Sequence, residues 1–91
     1  MASPVRAHVW ISGRVQGVFF RMEARDRAQS RRIDGWAKNL PDGRVEAVFE
    51  GEKDNVESMI RWCHEGPSLA LVESVEVAWE EPQDERGFHA R

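Results

Sequence analysis

The chain has one cysteine, Cys63, which excludes an internal disulfide framework and a metal site built on cysteine alone. No apolar run approaches the ~20 residues that a membrane-spanning helix needs, and there is no repeat, linker or low-complexity stretch. Positive charge is not in excess. Thirteen Lys and Arg face 16 Asp and Glu, for a formal net charge of -3, which is not the balance of a general nucleic-acid binder. His8, His64 and His89 lack metal-ligand spacing and are expected to be exposed or interfacial. Ser12, Ser30, Ser58 and Cys63 lack the context of a nucleophile paired with a base. The opening Met-Ala-Ser-Pro-Val-Arg leads into a strand rather than an export signal, so the expected setting is cytoplasmic and reducing.

What is present suits one small domain over residues 1–91, since a chain of this length has room for one core only. Its 41% hydrophobic and 32% charged residues are ordinary for a globular protein and argue against disorder. Val5, Ala7, Val9 and Ile11 alternate with Arg6, His8, Trp10 and Ser12, the period of a half-buried strand. A helix is expected from about Phe20 to Arg31, with Phe20, Ala24 and Ala28 on one face. Ile33 to Asn39 reads as a second strand, Leu40-Pro41-Asp42-Gly43 as a tight turn, and Val45 to Gly51 as a third strand closing a hairpin. Asp54 and Glu57 have capping-box spacing before a helix with Val56, Met59, Ile60 and Cys63 on its apolar stripe, ended by Gly66 and Pro67. Cys63 is thereby placed as a small buried hydrophobe. Val75, Val77 and Trp79 alternate in a fourth strand, and Phe88 to Arg91 is a candidate for a short fifth edge strand. The order β-α-β-β-α-β predicts an α+β, ferredoxin-like split βαβ fold, an antiparallel sheet with both helices on one face.

The run Gly13-Arg14-Val15-Gln16-Gly17-Val18-Phe19-Phe20-Arg21 turns the first strand into the first helix and ends on an arginine. One reading is an ordinary strand-to-helix connection in which Gly17 relieves the backbone. The other is an anion cradle: amides of Gln16, Gly17, Val18, Phe19 and Phe20 at a helix N-terminus, with the Arg21 guanidinium as a planar fork for two phosphoryl oxygens. Asn39, at the end of the second strand, either starts the turn or presents a carboxamide to such a site.

This run and Gly35-Trp36-Ala37-Lys38-Asn39, followed by Gly43, Val45 and Gly51, resemble the two motifs of the acylphosphatase family. With the element order and Gly87-Phe88, the resemblance spans essentially the whole chain. It implies metal-independent hydrolysis of acyl phosphates to a carboxylate and inorganic phosphate, with no cofactor, Arg21 binding the phosphoryl group and Asn39 positioning water. A small-molecule substrate and a monomer are expected, with no nucleic-acid or membrane partner. Two departures stand out. Relatives usually carry an aliphatic residue where Arg31 stands and often glycine at Arg32, and many animal members end in arginine and tyrosine, whereas this chain has no tyrosine.

The chemistry stands without the name. A carboxylate leaving group needs no protein acid, and a loose phosphoryl-transfer transition state asks mainly for fixed donors and an in-line water. Two other readings remain open on sequence alone. One is an anion-binding module without turnover; the other is a single-strand RNA-binding domain on the same fold, for which no RNP-like run appears.

Overall fold

The computed structural model describes residues 3–91. Its elements are β1 (Val5–Arg14), α1 (Phe20–Ser30), β2 (Asp34–Asn39), β3 (Val45–Gly51), α2 (Lys53–Glu65), β4 (Leu71–Glu80) and β5 (Phe88–Ala90). They form one five-stranded sheet in the order β4-β1-β3-β2-β5. The pairings among β1 to β4 are antiparallel as expected, but β5 joins β2 in parallel and makes the sheet mixed. The expected edge position of this last strand holds.

Alternation fixes which face of each strand meets the helices. Ala7, Val9 and Ile11 of β1, Ala37 of β2 and Val45, Ala47 and Phe49 of β3 are buried in one core with Phe20, Ala24 and Ala28 of α1 and Val56, Met59 and Cys63 of α2. Phe20 meets Trp62 at a 5.0 Å ring separation and joins the two helices. Trp62 is buried although it lies off the stripe read from the sequence, while Ile60 on that stripe is only partly covered. Full burial of Cys63 pushes its thiol pKa well above the ordinary value, so it stays protonated and inert.

Element ends differ from the sequence reading in instructive ways. α2 starts at Lys53, since Glu52 O accepts the first helical bond from Val56 N at 2.9 Å; Glu52 is the N-cap and makes no side-chain cap bond. Asp54 is therefore a first-turn acid favoured by the helix dipole, not the expected cap. β4 starts at Leu71, ahead of the alternating segment, because β1 extends to Arg14 and pairs with it there. That extension needs a bulge between Ser12 and Gly13. A Cβ on Gly13 would lie 2.1 Å from Leu71 O, so only glycine fits there.

α1 ends at Ser30. Ile33 N donates to Ala28 O at 2.8 Å and Arg32 N to Gln29 O at 3.2 Å, the bond pattern of a Schellman cap. Arg32 occupies the left-handed position of that cap, φ 55°, where relatives often have glycine.

The face turned away from the helices carries a charge cluster. Arg6, only 5% exposed, bonds Glu50 at 3.1 Å, Glu80 at 2.9 Å and Glu85 at 2.9 Å. His8 is half-buried: its ring is held between Glu46 at 2.6 Å and Glu80 at 2.7 Å and stacks on Trp10.

Candidate active site

Residues 15–19 carry the chain from the end of β1 into α1. Val15 and Val18 are buried and pin this loop to the core. Between and beside them, Gly17 and Phe19 take left-handed conformations, φ 75° and φ 66°. The first suits glycine; the second costs a bulky residue about 1–2 kcal/mol. Two left-handed residues in so short a stretch break the regular pairing of the backbone there. None of the amides of Gln16, Gly17, Val18, Phe19 and Phe20 donates to another described residue, and Phe19, the N-cap of α1, makes no side-chain cap bond. Unpaired amides at a helix start are the donors that an anion requires.

Asn39 closes β2 opposite Val45. It shares the parity of Gly35 and Ala37, which places it on the face that α1 covers. Its carboxamide bonds no described residue. The turn after it is tight: Leu40 N donates to Arg44 O at 2.8 Å and Gly43 N to Leu40 O at 3.1 Å. Asp42 clasps Arg44 through the main-chain amide at 3.1 Å and the guanidinium at 2.8 Å. The Arg44 amide, followed by its side chain, holds the Asp42 carboxyl below its ordinary pKa.

Gln16 joins the two motifs. Its Nε2 donates to Leu40 O at 2.8 Å and to Arg44 O at 2.9 Å, so the loop is tied to the turn that carries Asn39. This use of the Gln16 side chain was absent from the sequence reading, which assigned only its amide.

A cavity of about 250 Å³ opens where the motifs meet. Gly17, Arg21 and Asn39 give it polar walls, Val15 and Phe20 a buried apolar base, and Phe19 and Met22 an exposed apolar rim. Of the sequence-predicted residues, Gly17, Phe19, Phe20, Arg21 and Asn39 thus converge on one space. Gln16 and Val18 do not line it. Met22 and Val15 were missed. The signal for Met22 was its place in the first turn of α1, one residue beyond Arg21.

Arg21 is half-buried, and its Nη1 donates to the main-chain oxygen of Arg91. Arg91 is itself anchored, with its amide on Ala37 O at 2.8 Å and its guanidinium 4.7 Å from the Trp36 ring centre. Parallel pairing of β5 with β2 brings Arg91 there. Nothing in the motif pattern pointed to this contact. Among the described residues, no three His, Cys, Asp or Glu side chains gather as a metal site would require.

The chain matches the family model described as acylphosphatase over residues 7–90. It is 56% identical over 91 residues to an acylphosphatase from Natronomonas pharaonis, covering 100% of this chain and 99% of that one. An acylphosphatase from Chloroflexus aurantiacus is 61% identical over 84 residues, covering 92% and 91%. Among solved structures, an acylphosphatase from Coxiella burnetii superposes with a TM-score of 0.93 at 40% identity, covering 97% of this chain and 93% of that one.

Proposed function

Because the chain belongs to the acylphosphatase family and hydrolyses the carboxyl–phosphate bond of acyl phosphates, we propose that residues Gln16 to Phe20 and Arg21 hold the phosphoryl group while Asn39 orients the attacking water. The observation that carries this reading is convergence. Gly17, Phe19 and Phe20, whose amides have no acceptor among the described residues, line a single cavity of about 250 Å³ together with Arg21 and Asn39.

Each group then has a task that its chemistry fits. Amides of Gln16, Gly17, Val18, Phe19 and Phe20 donate to the equatorial phosphoryl oxygens, where charge spreads in a loose transition state. Arg21 adds a fixed positive fork, with its contact to the Arg91 oxygen limiting its rotation. The Asn39 oxygen accepts a hydrogen from water and its amine donates to a phosphoryl oxygen. Asn39 is too weak a base to take the proton, so the proton passes to a phosphoryl oxygen of the substrate. The leaving carboxylate needs no acid. Neither a metal nor another cofactor enters this scheme, and the enzyme acts as a single-domain cytoplasmic monomer with no nucleic-acid or membrane partner. No helix among the described residues is long and apolar enough to cross a membrane.

Phosphate release from acetyl phosphate with chelator present, run beside a phosphate monoester, tests the reaction. Activity on the acyl phosphate alone is expected; loss of activity in chelator would overturn the metal-free scheme. Asn39→Ala is expected to lower turnover by about 10²–10³-fold while competitive inhibition by inorganic phosphate persists. Near-normal turnover in that variant would remove Asn39 from its role.

A further inference from the structure

We infer that Phe19 and Met22 form an apolar seat for the acyl part of the substrate, so that the enzyme selects aryl and long aliphatic acyl phosphates over short or carboxylate-bearing ones. This rests on the phosphoryl assignment proposed above.

Phe19 is 66% exposed and Met22 49% exposed, whereas Phe20 between them is 2% exposed. One is the N-cap of α1 and the other lies in its first turn, and both border the cavity that Arg21 and Asn39 line. Large apolar side chains left in water at the mouth of a polar cavity gain by covering an apolar ligand.

The backbone at Phe19 sharpens the point. Its left-handed conformation is one that glycine adopts freely, as Gly17 does two residues earlier. Glycine at 19 would make the same turn with no strain and no exposed ring. The aromatic ring is therefore what this position contributes, and a turn alone does not account for it.

Connectivity fixes what occupies the seat. The acyl carbon is joined to phosphorus through a single bridging oxygen, so an acyl group must lie within a few ångströms of the bound phosphoryl group. The cavity offers it the Phe19–Met22 rim. Arg21 is the one charged side chain among the described residues lining the cavity, and the phosphoryl group uses it. No second cation is present to match a carboxylate on the acyl tail, which leaves apolar contact as the source of discrimination.

The test compares kcat/KM for acetyl, benzoyl and succinyl phosphate, with inorganic phosphate as a competitive inhibitor. The unmodified enzyme is expected to favour benzoyl over both others by about tenfold, the scale at which an apolar pocket discriminates. Met22→Ala, and Phe19→Asn, which keeps access to the left-handed conformation, are each expected to reduce the benzoyl-to-acetyl ratio several-fold, through KM more than kcat. A ratio unchanged in both variants overturns the seat. So does a parallel loss on all three substrates together with phosphate inhibition, since that would report damage to the cradle. If the unmodified enzyme cleaves benzoyl and acetyl phosphate with equal kcat/KM, the seat fails while the phosphoryl assignment stands; if it cleaves neither, the assignment fails and takes the seat with it.

Discussion

Arg6 and Arg21 are both arginines held by oxygen atoms, and they belong to opposite kinds of region. Arg6 is buried on the open face of the sheet among three carboxylates. Those carboxylates are spoken for in turn: Glu50 also takes the amides of Gln83 and Glu85, and Glu80 also takes His8. Among the described residues Arg21 has a single partner, the Arg91 oxygen, and stands beside amides that have none. A region whose polar groups satisfy one another is complete without a ligand. A region that leaves several donors unpaired beside one cavity is complete only with one.

Removing each arginine tests that contrast and carries the largest expected effects. Arg21→Ala should lower kcat/KM for an acyl phosphate by at least about 10²–10³-fold and also abolish phosphate inhibition, with little change in thermal unfolding. Arg6→Met should leave kcat/KM of the folded protein near that of the parent while costing about 3–5 kcal/mol of stability, because it strands buried Glu50 without its cation. Urea unfolding and steady-state kinetics on both variants separate the outcomes. If Arg6→Met impaired catalysis at full stability, or Arg21→Ala unfolded the protein without a kinetic defect, the division between the regions would be wrong.

Most of the frame was legible because burial enforces period. A strand with one covered face must alternate, and Val5 to Ile11 does; a helix against a sheet must repeat every three or four residues, and Val56, Met59 and Cys63 do. What escaped reading has no period. β5 is three residues long, too short to show alternation, and its parallel pairing depends on where the preceding loop runs. The turn after β2 was readable from Pro41 and Gly43, but the Gln16 bonds to Leu40 and Arg44 span 24 and 28 residues and leave no local trace. The backbone of the site was therefore visible in its glycines and its arginine, while the ties that set one motif against the other emerge only from the fold.

Acid should act on the satisfied region first. His8 and then Arg6 hold the Glu80 carboxyl below its ordinary pKa. At Glu50, burial pushes the carboxyl upward, but the amides of Gln83 and Glu85 and the Arg6 guanidinium outweigh it and the net direction is down. A depressed folded pKa means that these groups release protons more readily folded than unfolded. Their contribution is thus fully present above the unfolded carboxylate pKa of about 4.3 and is lost as pH falls through the lower folded values. Thermal unfolding should accordingly be insensitive to these groups between about pH 5 and 7 and should weaken steeply below about pH 4. Glu50→Gln, with a lower Tm at neutral pH, should flatten that acid slope. An unchanged slope would show that the cluster does not govern acid stability.

The smallest expected effect is the finest probe of the contrast, because the same distinction recurs at the two ends of α1. Both ends are turned by a non-glycine residue in left-handed conformation, Phe19 at the start and Arg32 at the finish. At the finish the amides of Arg32 and Ile33 have acceptors and neither residue lines the cavity of the site, so the strain there serves a helix stop. Arg32→Gly should relieve it and stabilise the protein by roughly 0.5–1 kcal/mol, with the Schellman bonds intact and kinetics unaltered. Part of the relief is offset because glycine gains freedom in the unfolded chain. Phe19→Gly should gain a similar roughly 0.5–1 kcal/mol but lower the preference for aryl substrates. Measured side by side by thermal unfolding and by benzoyl-to-acetyl selectivity, the two variants share a backbone change and differ only in what the lost side chain touched. If both left selectivity untouched, the strain at Phe19 would be as incidental as that at Arg32.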